Sequence, residues 1–319
     1  MQRTLLLGLL AATCISPALA DGLDKSRVPA SARAVVHIDV EALVASQIAR
    51  KMQELNPEAN VQFDLGQVQP MLAGIRPLQE LRSVTLFCAD PKSQKFGAVV
   101  HCTDKVDALL DMAMGVEGYE LAPIDNWQVH SWHDGEQRVF GAVVPIGSSK
   151  ERLVLLANDT KAMSEGMAVL QGRGQSLAQG AQGQLGVAPE RGTIVFAASN
   201  EPLSQLGEID PSSPVARLVQ GFVLQAGEAQ GRIFANVSLA TAEPRDAQRV
   251  QNVLQGLAAL ASLVTDQGMY EEDADQHQIQ ILQQLASSVK FQTNGNLLYV
   301  EFSYDLEQLI RDLQALEHD

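Results

Sequence analysis

The chain is poor in cysteine and in aromatic residues. It holds three cysteines in 319 residues, and Phe, Trp and Tyr together make up 5%. So few cysteines exclude a disulfide-stapled fold. The scarcity of aromatics leaves the core to Leu, Val, Ala and Ile. After residues 1–20 no stretch reaches the roughly 20 apolar residues of a membrane-spanning helix. Basic residues are also in deficit: 23 Lys and Arg stand against 38 Asp and Glu, a net charge of −15. A chain this negative repels phosphate backbones and anionic lipid, so nucleic acid is not an expected partner.

Familiar catalytic strings are missing. There is no Gly-x-Ser-x-Gly elbow, no His-Glu-x-x-His, no Gly-x-x-x-x-Gly-Lys-Ser/Thr and no Cys-x-x-Cys. Geometry rather than sequence order defines a catalytic triad, so this lowers the expectation of an enzyme without excluding one. No cofactor is expected.

What is present starts with an export signal. Arg3 gives a short basic start, Thr4 to Ala12 is apolar, and Pro17 precedes Ala18-Leu19-Ala20, with small residues at −3 and −1. Cleavage after Ala20 leaves Asp21 first and removes Arg3, making the mature chain more acidic still. Cys14 is the rival candidate, as a lipid-anchored cysteine, but Ala11-Ala12-Thr13 before it departs from the usual apolar-then-small pattern. The mature protein is expected to be soluble outside the cytoplasm, most simply in a bacterial periplasm. There Cys88 and Cys102 could bridge. A turn over residues 90–94 places Cys88 opposite Gly97, which leaves Cys102 about 13 Å further along, beyond the ~7 Å limit for bridging. Two separate buried thiols are expected.

The mature length, about 300 residues, is typical of two domains. Strand-like runs surround His37, Leu86, Val99, Val129, Val143 and Leu155, and again Val195, Phe234, Phe291 and Val300. Asp134-Gly135 and Asn294-Gly295 are strong hairpin turns. Asp39, Thr103 or Asp104, and Thr241 read as helix caps. Strand–cap–helix occurs near Val36 and Val195, a hairpin running into a Thr-capped helix at Thr103 and Thr241, and a strand feeding a terminal helix near Leu155 and Val300. The expected fold is α+β: two related domains, each an antiparallel sheet with helices packed on one face. They span 21–172 and 191–319, with a Gly- and Gln-rich linker over 173–190.

The segment Pro29-Ala30-Ser31-Ala32-Arg33-Ala34-Val35-Val36-His37-Ile38-Asp39-Val40-Glu41-Ala42-Leu43, just after an export signal, resembles the mature start of exported bacterial proteins of unknown-function families. The resemblance covers the layout and these residues. It implies a tandem strand–helix–hairpin pattern and no catalytic residues.

Candidate sites are few. His130-Ser131-Trp132-His133-Asp134 offers two imidazoles and a carboxylate, the donors zinc takes. On a strand, positions three apart face opposite sides, so His130 and His133 meet only if the strand ends or bulges. His37 and Asp39 share a strand face, as a base and its orienting carboxylate would, with no nucleophile visible nearby. Glu271, Glu272, Asp273, Asp275 and His277 could attract calcium but lack the glycine and spacing of a calcium loop. Trp127 and Trp132, five apart, face opposite sides. The helix over 245–264 carries Val250, Leu254, Leu257, Ala261 and Val264 on a face expected to cover its own sheet. Polar groups thus look scattered, with no shared focus. The expectation is a non-enzymatic exported binding or structural module with a protein partner or small ligand at the domain junction. The alternative is an extracytoplasmic metal-dependent hydrolase centred on His130, His133 and Asp134.

Overall fold

The structure is a computed structural model and describes residues 22–55, 77–93, 95–108, 114–115, 118–147, 150–206, 210, 213–266 and 276–317. The expected signal at residues 1–20, Cys14 and the acidic run at 271–275 lie outside the described residues. In the N-terminal half, β1 (Ala34–Asp39), β2 (Leu81–Asp90), β3 (Lys95–Thr103), β4 (Glu120–Ile124), β5 (Trp127–Asp134), β6 (Gln137–Pro145) and β7 (Glu151–Ala157) form one side of a sheet. β8 (Thr193–Ser199), β9 (Val219–Ala229), β10 (Arg232–Thr241), β11 (Val289–Asn294) and β12 (Leu297–Asp305) form the other. Among the described residues they make a single 12-stranded sheet in the order β11-β12-β10-β9-β8-β1-β2-β3-β7-β6-β5-β4. Every pairing is antiparallel.

Turn chemistry explains the hairpins. Asn294 pairs with Leu297 and Asp134 with Gln137, so Gly295 and Gly135 each occupy the first position of a two-residue loop. Both glycines have positive φ, 58° and 60°. That conformation matches the strand twist and is open to glycine at no steric cost.

The two separate domains expected from sequence are not shown. β1 and β8 lie side by side, with Val35 opposite Ala198 and His37 opposite Phe196, so the sheet runs unbroken from one half to the other. Reading outward from this pair, the order is β1-β2-β3-β7-β6-β5-β4 on one side and β8-β9-β10-β12-β11 on the other.

Nor do the helices share one face. Directly paired residues share a sheet face. Val35, Ala198, Val223, Ser238 and Tyr299 are linked by successive pairings and so form one row on one face. In the N-terminal half that face is covered by α4 (Thr160–Leu170), α5 (Leu177–Gly180) and the segment 22–33. Met163, Met167, Leu177 and Val28 pack there on Val35, Leu155 and Phe196. In the C-terminal half the opposite face is covered. Leu239 and Leu298 pack against Ala247 and Val250 of α7 (Pro244–Asp266) and against Val215 and Leu218 of α6 (Pro214–Leu218).

Residues 173–190, read from composition as a linker, lie within this packing. Leu177 and Leu185 are buried in the main core. Ser176 bridges to Pro29, and Lys25 Nζ donates to the carbonyls of Leu185 and Val187, both at 2.7 Å. Gly192 and Gly227 cross at close quarters: a Cβ on Gly227 would lie 2.0 Å from the Gly192 carbonyl oxygen.

The helix caps divide. Asp39 Oδ1 accepts from the Ala42 amide at 2.7 Å and starts α1 (Val40–Ala45), as its position predicts. Thr103 makes no cap bond; its hydroxyl donates to Glu80 Oε2 at 2.5 Å. Thr241 donates to the Asn296 carbonyl at 2.9 Å and ties the start of α7 to the β11–β12 turn. The start of α2 (Gln47–Leu55) is capped from a distance: Glu228 on β9 accepts from the amides of Gln47 and Ile48, both at 2.8 Å. A carboxylate at a helix N-terminus satisfies orphan donors and the positive end of the dipole. Near the C-terminus, Tyr304 donates to Asp312 Oδ2 at 2.8 Å and Gln308 Nε2 to Asp312 Oδ1 at 2.7 Å, locking α9 (Leu306–Glu317) onto β12.

Two outcomes follow from these contacts. Glu228→Ala removes both acceptors from α2, and urea unfolding should show a loss of about 1–2 kcal/mol; unchanged stability would show that the cap contributes nothing. Burial, reinforced by Asp312, pushes the Tyr304 phenol up from 10.0 to about 12. The neutral phenol is the form the fold favours. Its contribution is fully present below pH 10 and is lost as pH rises through about 12. Ultraviolet titration should find a late-ionising phenol that is absent in Tyr304→Phe.

Candidate functional site

The centre of the covered face carries a polar island. His37 and Asp39 come from β1, Ser83 and Thr85 from β2, His101 from β3 and Glu151 from the start of β7. Register aligns them: Asp39 opposite Ser83, Ser83 opposite His101, and His37 opposite Thr85. All lie on the face of Val35, because they are even steps along the same strands. His37, Asp39, Ser83 and Thr85 are buried. His37 Nδ1 lies 2.9 Å from Thr85 Oγ1, and His101 Nε2 lies 3.3 Å from Glu151 Oε2. Arg82 adds a cation 3.7 Å from Glu151 Oε1. The segment 22–33 crosses above, where Asp24 and Arg27 pair at 2.8 Å.

This arrangement corrects the expectation that polar groups lack a shared focus. Gly22, Asp24, Arg27, His37, Ser83, Thr85, Val99 and His101 line one cavity. The sequence reading found His37 and Asp39 but missed the hydroxyls and imidazole that β2 and β3 bring beside them. The available signal was Ser83 and Thr85 alternating with Val84 and Leu86 on β2, and His101 following Val99 and Val100 on β3. The cavity holds about 10 Å³, close to the room that a single water needs. A buried polar group far from water requires hydrogen-bonding partners. Within the island His37 meets Thr85 and His101 lies beside Glu151, and the cavity's size suits water rather than a substrate.

The other candidates fall apart in space. β5 runs regularly through His130, Ser131, Trp132 and His133, opposite Gly141, Phe140, Val139 and Arg138. With no bulge, His130 and His133 point to opposite faces. His130 Nδ1 lies 2.8 Å from the Tyr119 hydroxyl, while exposed His133 sits beside Gly118, where a Cβ would lie 3.2 Å from His133 Nδ1. Asp134 pairs through its backbone with Gln137 at the strand end. Among the described residues, no group of three or more His, Cys, Asp or Glu is arranged to hold a metal ion.

The tryptophans separate as the spacing predicts. Trp127 packs on the main core with Arg173 4.9 Å over its ring, and the Trp132 ring covers Gly141 on the other side. Cys88 stands opposite Phe96, one step from the expected Gly97, and Cys102 opposite Leu81. Both thiols are free; Cys102 is buried and Cys88 is half-buried.

No protein-family model matches the chain, and no curated protein does. Solved structures of TP0453, a Treponema pallidum protein, resemble it over most of its length. Crystal form III gives a TM-score of 0.46 at 10% identity, covering 92% of this chain and 98% of that one. Form I gives 0.42 at 10% identity over 93% and 98%, and form IV 0.44 at 10% identity over 92% and 97%. The likeness is one of chain path. Among the described residues, no helix is long and apolar enough to cross a membrane.

The thiols give a direct chemical check. Burial first, then the carboxylates of Glu151 and Asp107, pushes the Cys102 thiol up to about 12, and burial also raises Cys88. Thiolate is the reactive form. Iodoacetamide at about pH 8 should leave Cys102 unlabelled in the native protein and label both Cys88 and Cys102 after denaturation. Rapid native labelling of Cys102 would contradict this burial.

Proposed function

We propose that the chain is an exported, non-enzymatic binding module that works through its surface, and that its halves derive from one duplicated unit. Export rests on the signal-like residues 1–20. Duplication is supported by the matching order of the first five strands on each side of the β1–β8 seam, beyond which the N-terminal side adds β5 and β4. It is also supported by the recurrence of a strand feeding a helix, β7 into α4 and β12 into α9. The halves meet inside the sheet instead of across a cleft, which favours an open face over a domain junction as the surface for recognition.

The carrying observation is the uncovered polar face of the C-terminal half. Lys290 stands opposite Glu301, Glu301 opposite Asn236, and Gln292 opposite Tyr299. Lys290, Gln292 and Glu301 are exposed and line a shallow groove with Tyr299 at the β11 edge. A sheet holds such side chains in a fixed grid, with strands about 5 Å apart. An aromatic centre with polar neighbours is the composition favoured at recognition surfaces.

The test uses a photo-crosslinking residue at Gln292 of the exported chain, with the exposed Glu136 turn as control. A discrete adduct should form from position 292 and not from 136. Tyr299→Ala should reduce its yield by about tenfold or more, as truncation of an aromatic anchor does. Equal adducts at both positions, or none at 292, would reject the surface. The recovered chain should begin at Asp21; retention of Met1 would reject export by cleavage.

A further inference from the structure

The polar island is closed by a strap. Segment 22–33 crosses it and is tied to its neighbours along its length. The Leu177 amide donates to the Val28 carbonyl at 2.8 Å, the Ala30 amide to the Gln175 carbonyl at 2.9 Å and the Arg33 amide to the Cys88 carbonyl at 2.8 Å. Between strap and sheet lies the cavity of about 10 Å³. On the sheet side it is lined by His37, Ser83, Thr85 and His101, and on the strap side by Asp24 and Arg27. His37, Ser83 and Thr85 are 4%, 6% and 7% exposed, which puts them out of reach of bulk solvent.

Volume and chemistry together narrow the occupant. A cavity of about 10–15 Å³ admits one water, so this one takes a single molecule of that size and nothing larger. Apolar cavities stay dry, whereas a water that finds two to four polar partners is held. Apart from Gly22 and Val99, every lining residue brings a polar side chain. A hydroxyl donates one hydrogen bond and accepts two, and His37 Nδ1, 2.9 Å from Thr85 Oγ1, takes one of these places at Thr85. Arg27 pairs with Asp24 at 2.8 Å, so both signs of charge stand on the strap side. A cation there would face the guanidinium and an anion the carboxylate. A neutral molecule that both donates and accepts meets neither repulsion.

We propose that one ordered water is a structural part of this fold, bound between Asp24 and Arg27 of the strap and Ser83, Thr85 and His101 of the sheet. A bridging water is nearly as favourable in enthalpy as a direct hydrogen bond. It joins polar groups on two segments without requiring each to touch its counterpart. The water therefore holds the strap, and losing it loosens segment 22–33 over the two imidazoles. This site is separate from the β11–β12 face and goes beyond the binding role above.

A crystal structure of the full mature chain identifies the occupant directly. A single peak is expected within hydrogen-bond distance of at least two of Asp24, Arg27, Ser83, Thr85 and His101. Val99→Ile tests the consequence, because Val99 lines the cavity and the added methyl group takes the water's place. Displacing a bonded water loses the contacts it made, whereas filling a dry void improves packing. Native-state hydrogen exchange at the Ala30 and Arg33 amides should quicken by about tenfold in Val99→Ile. Ser83→Ala, which keeps the room and removes one partner, should quicken it by a smaller factor. Exchange in β9 and β10 should stay unchanged in both variants, which separates a loosened strap from a weakened fold. A cavity without a peak overturns the proposal, as does strap exchange that is unchanged or slower in Val99→Ile. Anomalous scattering from the cavity after soaking in rubidium overturns it by assigning the site to a cation.

Discussion

β1 and β8 pair across a sequence separation of about 160 residues, and the rest of the molecule is arranged about that contact. Closing so long a loop carries an entropic cost that grows slowly with length but must be met before any contact forms. It is offset here by shared burial. Val35, Phe196, Ala198 and Leu155 are nearly inaccessible and belong to one cluster with Met163 of α4. Without the pairing, each half-sheet would present a strand edge with unpaired amides and carbonyls. With it, the free edges move to β4 and β11. β4 is short and carries Pro123, which cannot donate to another ladder.

Beside that seam, the sheet tolerates polar residues in its interior because they answer one another. Row by row, Asp39, Ser83 and His101 stand in register, with His37 and Thr85 next to them. Asp39 is fully buried yet starts α1 by accepting from Ala42, so one carboxylate serves both the sheet centre and the first helix. The segment 22–33 closes the island from above, held by Lys25 to residues 185 and 187. Such a cluster holds strand register, since a slip by one residue would turn every member to the other face.

Charge and burial divide the surface into functional zones. The acidic excess favours solubility and discourages contact with anions. Within it stand two different surfaces: the outer face of β11 and β12 is a polar grid around Tyr299, and the flank of α7 exposes Val253, Leu257 and Leu260. Reactive chemistry is restrained in the same structure: Cys102 is buried with its thiol pushed up to about 12, and the island cavity holds about 10 Å³.

Local features were legible in the chain. Asn294-Gly295 and Asp134-Gly135 specify tight turns because glycine takes positive φ freely. Asp39 marks a helix start because its side chain reaches the amide three residues on. The α4 span, Thr160–Leu170, follows from apolar residues recurring at helical spacing. Alternation along β5 already separated His130 from His133 and Trp127 from Trp132, since the period of a strand is two. What alternation leaves open is which face is covered, because exchanging the faces preserves the pattern. That choice was made by packing: α4 and α5 settle on one side of the sheet, and α6 and α7 on the other. The β1–β8 seam, the gathering of Ser83, Thr85 and His101 beside His37, and the exposure of Leu257 were likewise decided only in three dimensions. Each depends on contacts between segments far apart in sequence, and no local spacing of residues encodes those contacts.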